Sequence, residues 1–205
     1  DIGNTTIGIG GFQGNKLLFI EKISSRRPLS DAGYIEKLNM ILNKHGLSAE
    51  AFEGSMISSV VPSVTAVFSS ALETFLGRKP LILSHKLDLG YEICTEFPEK
   101  VGCDRLADIA GAISRYSLPF VTIDLGTATT FNVLDENRRF LGGLILPGVG
   151  TAHRALLGKT AQLPKGDIHM PAHTIGANTQ ECITGGMLLG NACAIDGLIR
   201  RIQTE

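Results

Sequence analysis

The chain has 205 residues, and its 19 lysine and arginine residues almost balance its 20 aspartate and glutamate residues. This near-neutral charge gives no electrostatic reason to expect nucleic acid or an anionic membrane as a partner. No uninterrupted apolar run predicts a membrane span. The four cysteines form neither a CxxC pair nor a zinc-ligand pattern with histidine, so we expect reduced thiols in a cytoplasmic protein.

The first part of the chain alternates strand and helix patterns, as expected for an α/β fold. The apolar spacing predicts strands at 7–12 and 16–20 joined by a tight turn, and a helix at 31–44 capped by Ser30 or Asp31. It then predicts a strand at 55–61, a helix capped by Ser63 that runs to about 76, and a strand at 80–84. Residues 87–101, which include Tyr91 and Phe97, are expected to form a loop that approaches a site.

The second part repeats this pattern. A helix at 104–116 leads into strands that end at Asp124 and that span 130–134 and 139–145, followed by a helix near Thr151, an irregular segment at 158–177, and a long helix from about 180 toward 203 capped by Asn178-Thr179. We place a domain boundary between 117 and 118, giving domains at 1–117 and 118–205. The length suits two domains of roughly 100 residues each.

Two short Asp-x-Gly turns, Asp1-Ile2-Gly3 and Asp124-Leu125-Gly126, precede hydroxyl residues and a strand. Glycine lets the backbone turn tightly and approach a ligand closely, and hydroxyls and amides donate to phosphate oxygens. One such turn is an ordinary β-turn, whereas two suggest similar half-domains that hold a nucleotide phosphate chain. There is no GxxxxGK[ST] loop and no GxGxxG opening a helix, which disfavours a P-loop or a dinucleotide-binding fold.

The segment Gly102-Cys103-Asp104-Arg105 opens a predicted helix. Asp104 either stabilises the helix through its dipole or acts as a general base on a substrate hydroxyl, and Arg105 is either solvated or clamps an oxyanion through its planar fork. The residues alone leave both alternatives open. Cys103 is more typical of a buried thiol than of a nucleophile, and His153 and Arg154 of an exposed helix face than of a phosphate contact.

The motifs together resemble those of the type III pantothenate kinases, within the acetate-kinase, sugar-kinase and actin superfamily. The matching segments occur in the same order over nearly the whole chain: Asp1 to Thr5, Gly102 to Arg105, Asp124 to Thr129, Gly142 to Gly148, Gly176 to Gly186, and Ile195-Asp196-Gly197. Each segment alone is weak, but six in order are specific.

The resemblance implies two ribonuclease-H-like, actin-like ATPase halves with mixed sheets flanked by helices and ATP in the cleft. It implies that a homodimer transfers the γ-phosphate of ATP to the 4′-hydroxyl of pantothenate, the first step of coenzyme A synthesis, with Mg²⁺ accompanying ATP.

The resemblance also implies roles for individual residues. Asp104 would be the catalytic proton acceptor, and Asp124 would bind a monovalent cation, K⁺ or NH₄⁺. Pantothenate would contact Tyr91, Gly102, Cys103, Asp104, Arg105 and, near the dimer interface, Thr179. ATP would contact Asp1, Ile2, Gly3, Asn4, Thr5, Thr6, Ile7, Gly8 and Thr127.

Two departures from the family pattern bear on these roles. Where many members have Thr-x-Asp after the second turn, this chain has Thr130-Phe131-Asn132, which removes one charge near the expected cation. The resemblance also implies a C-terminal segment after Glu205 that helps to form the nucleotide pocket. Separately, we expect a few residues before Asp1, because a strand should lead into the first turn as one does before Asp124.

Two alternative functions stay open from the sequence. One is a non-catalytic accessory or regulatory relative with the same fold, against which Asp104 and Arg105 argue because a binding module needs no base. The other is a different small-molecule kinase or phosphatase of the superfamily.

Overall fold

The structure is a computed structural model that describes residues 1–160, 164 and 166–205. It has an α/β fold in which mixed sheets are flanked by helices. The chain forms two compact units: unit 1 comprises Asp1–Leu118 and Asp135–Leu141, and unit 2 comprises Pro119–Leu134 and Gly142–Glu205.

Unit 1 begins with an antiparallel hairpin of β1 (Thr6–Gln13) and β2 (Lys16–Ser24), as the sequence predicts. Gly14 has φ 56°, the left-handed conformation that glycine adopts without strain. A side chain at Gly11 would overlap the Phe19 ring. Glycine at this position therefore lets the Phe19 ring lie against the hairpin.

Two helices pack against each other in unit 1, α1 (Asp31–Lys44) and α2 (Pro62–Leu76). Their core contains Tyr34 and Phe68, whose rings meet edge to face with centroids 5.0 Å apart. Ser30 caps α1 by accepting a hydrogen bond from Gly33 N, which confirms one predicted cap. Ser63 was predicted as the cap of α2, but Val61 holds that position because Pro62, which lacks an N–H, occupies the first helical turn.

The remaining strands of unit 1 are short. β3 (Met56–Ile57) pairs in parallel with β4 (Leu81–Ile82), and both are shorter than predicted. β5 (Glu92–Ile93) lies in the segment predicted as loop and pairs in parallel with the start of β8 (Arg139–Pro147). Helix α3 (Cys103–Ile113) follows β5.

Unit 2 contains β6 (Phe120–Leu125) and β7 (Ala128–Leu134) as an antiparallel pair, beside the part of β8 that starts at Gly142. Helices α4 (Val149–Lys159) and α5 (Thr179–Ile202) follow. Helix α4 extends into the segment predicted as irregular from 158 to 177. Within that segment, residues 161–163 and 165 lie outside the described residues, and the others after Lys159 form neither helix nor strand.

Helix α5 corrects the expectation about membrane spans. Among the described residues it is one helix that is long and apolar enough to cross a membrane, by length and composition only, and 17% of its most apolar stretch is buried. The sequence contains no unbroken apolar run here because glycines and polar residues such as Asn191 and Asp196 interrupt it, but the mean hydropathy over the helix is still high. Core helices of soluble proteins pass the same test.

Candidate active site

The first Asp-x-Gly turn is anchored in the core of unit 1. Ile2 and Ile7 flank the turn and are 1% and 0% exposed. Asp1 and Gly8 exchange two backbone hydrogen bonds of 2.8 Å, and Gly3 N donates to Thr6 O at 2.9 Å. Two buried apolar side chains and a closed set of backbone bonds therefore hold the turn, while Asn4 at its tip is exposed.

Ser25 fixes the orientation of the first turn. Its hydroxyl donates to Gly3 O at 2.7 Å, and its backbone N–H donates to Thr5 O at 3.1 Å. Because the carbonyl and the following N–H of a trans peptide point in opposite directions, the Asn4 amide points away from Ser25. An amide directed outward from a turn is suited to meet a phosphate oxygen.

The Gly-x-Asp-Arg segment forms the first turn of α3, with Gly102 as the N-cap residue. Asp104 Oδ1 accepts a hydrogen bond of 2.8 Å from Arg105 N, so the carboxylate folds back toward the positive end of the helix. A Cβ at Gly102 would lie 2.5 Å from this same oxygen. Because glycine has no side chain, residue 102 leaves room for the Asp104 carboxylate.

Arg105 and Tyr91 flank the start of α3. The Arg105 guanidinium lies 5.4 Å from the centroid of the buried Phe140 ring, and burial lowers its pKa although the carboxylates of Asp104 and Asp108 oppose this shift. The Tyr91 hydroxyl donates to Leu106 O at 2.9 Å. Burial raises the pKa of Tyr91 above its ordinary value.

A chain of contacts brings the start of α3 close to the first turn within unit 1. Cys103 Sγ donates to Leu83 O at 3.1 Å, just after β4. A Cβ at Gly102 would lie 3.6 Å from Val60 Cγ1, and Val60 N donates to Ile2 O at 3.1 Å. Both motifs thus lie beyond the carboxyl ends of β3 and β4, where open α/β sheets bind ligands.

The second Asp-x-Gly turn joins β6 to β7 in unit 2. Asp124 and Thr127 are both exposed. Thr127 O accepts two hydrogen bonds, from Gly148 N at 3.0 Å and from Thr151 Oγ1 at 2.7 Å. A side chain at Gly148 would overlap Gly126 O and lie 2.9 Å from Thr127 O, so the turn rests directly on the backbone that begins α4.

Thr179 is the first residue of α5 and is exposed. Asn178, just before Thr179, and Glu181, shortly after it, cap the helix together. Glu181 N donates to Asn178 Oδ1 at 3.0 Å, and Ala177 N donates to Glu181 Oε2 at 2.8 Å. The predicted cap at Asn178 is confirmed. These bonds fix the backbone that carries Thr179.

The departure at Asn132 has a structural explanation. Asn132 is 0% exposed, and its Nδ2 donates to Thr122 Oγ1 at 3.0 Å across the β6–β7 pair. A neutral amide with a partner costs less to bury than a carboxylate. Asn132 therefore contributes to the core of unit 2 and does not supply an exposed charge.

Sequence reasoning missed Ser25 and Thr151, whose hydroxyls hold the backbone of the two turns. Both lie more than 20 residues from the turn they contact, so local patterns carry no signal for them. Arg154, considered for a phosphate, donates instead to Thr151 Oγ1 at 3.3 Å.

A cavity of about 300 Å³ lies in unit 1 between β1 and β3. Asp1 and Gly8 lie at one side of it, but most of its lining is apolar, including Phe19, Leu38 and Phe75. The phosphate-binding groups predicted for the first turn are backbone amides and hydroxyls of the turn itself, so this cavity does not account for them.

The comparisons with known proteins place the chain in a family. The sequence model of the family described as type III pantothenate kinase matches residues 1–201. A type III pantothenate kinase of Thermomicrobium roseum is 37% identical over 205 residues, which is 100% of this chain and 79% of that protein. Similar relatives from Moorella thermoacetica and Dehalococcoides mccartyi are 34% and 35% identical over the whole chain and are covered to 81% and 80%. The chain belongs to the type III pantothenate kinase family.

A solved structure supports the fold. A Baf family protein from Campylobacter jejuni superposes with a TM-score of 0.56 over 96% of this chain and 76% of that chain, at 16% sequence identity. At this identity the likeness concerns the fold alone.

Proposed function

We propose that this chain transfers the γ-phosphate of ATP to the 4′-hydroxyl of pantothenate, the first step of coenzyme A biosynthesis. The observation that carries the proposal is the start of α3, where the Asp104 carboxylate lies over Gly102 and accepts a hydrogen bond from Arg105 N. Gly102 in turn lies near Val60, which donates to Ile2 of the first turn. Membership of a kinase family agrees with this chemistry.

Asp104 is the proton acceptor in this proposal. Phosphoryl transfer depends mainly on positioning and charge stabilisation, and a carboxylate near the substrate hydroxyl supplies both orientation and a base. Arg105 holds the carboxylate or amide region of pantothenate through its planar donor groups. Tyr91, Gly102 and Cys103 complete the substrate site, and Thr179 contributes to it near the interface of a homodimer.

ATP binds to the two Asp-x-Gly turns, through residues 1–8 of the first and Thr127 of the second. This assignment is supported by the outward amide of Asn4 and by the exposed position of Thr127. The proposal includes the actin-like arrangement of two ribonuclease-H-like halves, at 1–117 and 118–205, in a cytoplasmic enzyme.

Mg²⁺ accompanies ATP. Among the described residues no group of three histidine, cysteine, aspartate or glutamate side chains is placed to hold a metal ion. Mg²⁺ in kinases is commonly held by one or two carboxylates together with the substrate phosphates, so in this proposal it arrives with the nucleotide. Its chemistry is to neutralise charge that develops on the phosphates.

Asp124 holds K⁺ or NH₄⁺ in this proposal. A Cβ at Gly126 would lie 3.4 Å from Asp124 Oδ2 and 3.6 Å from Ala128 O, so a carboxylate and a carbonyl oxygen lie on the same side of the turn. Oxygen donors of this kind suit K⁺, which channels also bind through carbonyl oxygens.

The test is ADP release by the purified protein with ATP and Mg²⁺, measured with and without pantothenate and with K⁺ or Na⁺. We expect release that requires pantothenate and is faster with K⁺, and an Asp124→Asn variant that loses the K⁺ stimulation. Nucleotide binding without pantothenate-dependent turnover would instead favour the non-catalytic alternative. Turnover with another small alcohol would favour a different kinase of the superfamily.

A further inference from the structure

Thr151 holds the peptide group that follows Thr127, although the two residues are 24 positions apart. Its hydroxyl donates to Thr127 O at 2.7 Å, and Gly148 N donates to the same oxygen at 3.0 Å. Arg154 Nη2 in turn donates to Thr151 Oγ1 at 3.3 Å. The Thr127 carbonyl is therefore fixed by two donors from the first turn of α4.

The peptide group between Gly126 and Thr127 has the same orientation as the one between Thr127 and Ala128. A side chain at Gly148 would overlap Gly126 O, so this oxygen also faces the start of α4. Because the carbonyl and the next N–H of a trans peptide point in opposite directions, the N–H groups of Thr127 and Ala128 are directed away from α4. Two successive amides that point to one side resemble the backbone arrangement that binds anions in proteins.

We propose that Thr151 is a positioning residue for nucleotide binding: its hydroxyl, together with Gly148, fixes the second turn so that the amides of Thr127 and Ala128 face the ATP phosphates. The inference rests on the proposed role of Thr127 in contacting ATP. Thr151 itself does not contact the phosphates in this account, and it acts through the Thr127 carbonyl.

The test compares two variants. Thr151→Val removes the hydroxyl donor but keeps the shape of the side chain, and Thr151→Ser keeps the hydroxyl donor. The dissociation constant of ATP is measured by calorimetry without pantothenate, and KM and kcat are measured in the complete reaction. We expect Thr151→Val to weaken ATP binding about fivefold to tenfold, in line with the loss of one hydrogen bond. The KM for pantothenate should stay within about twofold of the wild-type value, and Thr151→Ser should bind ATP like the wild type.

Thr160→Val is the matched control, because Thr160 donates to Leu156 O at 2.8 Å at the other end of α4. It loses the same kind of bond far from the second turn and should bind ATP like the wild type. Unchanged ATP affinity in a folded Thr151→Val protein would overturn the inference, as would equal loss in Thr160→Val. Because calorimetry needs no turnover, wild-type ATP binding without pantothenate phosphorylation would count against the proposed function alone.

Discussion

Gly102 controls the position of the Asp104 carboxylate, since a methyl group at residue 102 would lie 2.5 Å from Asp104 Oδ1. The substitution Gly102→Ala is expected to push this carboxylate aside while the fold is kept, because the obstructing atom belongs to a short side chain. A displacement of about 1 Å from the reacting geometry can reduce turnover on the order of 100-fold. Steady-state kinetics should show the loss mainly in kcat.

Gly111 offers a control within the same helix. Apart from its chain neighbours and the adjacent backbone of its own helix, a Cβ at this position would meet no described atom within 4 Å. Alanine also favours helix over glycine by roughly 1 kcal/mol. Gly111→Ala should keep full activity and melt at a slightly higher temperature. If Gly102→Ala proved as active as Gly111→Ala, the carboxylate position would not matter for turnover.

The environment of Asp135 leads us to expect that the stability of the fold depends on pH. Burial raises the pKa of Asp135, but hydrogen bonds from the backbone and side chain of Arg139 and from Asn137 N outweigh it, so its pKa is lowered. The carboxylate is thus favoured in the folded state. Its stabilising contribution is complete above the pKa of the unfolded chain, near 4, and is lost as pH falls through the lowered folded value.

The substitution Asp135→Asn keeps an acceptor for the backbone amides and removes the charge that faces Arg139. We expect a lower melting temperature than that of the wild type at pH 7, and a difference that shrinks as the pH is lowered below about 4. Thermal unfolding from pH 7 to pH 3 measures this difference. A gap that stayed constant over this range would mean that the Asp135 charge does not contribute to stability.

At the scale of elements, the sequence predicted the helices better than the strands. Ser30 and Asn178 were recognised as caps because the cap and the amide it satisfies are three residues apart. The parallel strands β3 and β4 contain two residues each, and their partners are distant in the chain. Such pairings depend on tertiary contacts and leave little local pattern. The same holds for β5, which pairs with β8 although the sequence predicts a loop there.

The candidate site also contains residues that the sequence predicts and residues that it does not. The residues that carry chemistry, such as Asp104, stand in short motifs and were identified from the sequence. The residues that hold the turns, Ser25 and Thr151, act through hydrogen bonds to distant backbone carbonyls. Threonine and serine are common in many contexts, so only the folded chain shows which of them support the site.

At the scale of the whole molecule, α5 supports the proposed homodimer. It is long and apolar, yet 17% of its most apolar stretch is buried in the single chain. Apart from its chain neighbours and the adjacent backbone of α5, a Cβ at Gly186 would meet no described atom within 4 Å, although helical glycine is costly without a packing reason. A second copy of the chain packed on α5 would account for both observations.

We therefore expect Gly186→Glu to produce a monomer, since a charge would be buried in the interface, with Gly111→Glu on the exposed face of α3 as the control. Sedimentation velocity of both variants and the wild type measures the effect. Dimers of unchanged stability in Gly186→Glu would place the interface elsewhere.

Asp104 is proposed to serve as the base in the phosphorylation of pantothenate. The most direct measurement is the formation of phosphorylated pantothenate and ADP, followed by mass spectrometry, for the wild type and for Asp104→Asn under saturating ATP, Mg²⁺ and K⁺. We expect equal amounts of both products from the wild type and a turnover about 10²-fold to 10⁴-fold lower in the variant. ADP formed without phosphorylated pantothenate, or an Asp104→Asn variant as fast as the wild type, would contradict this proposal.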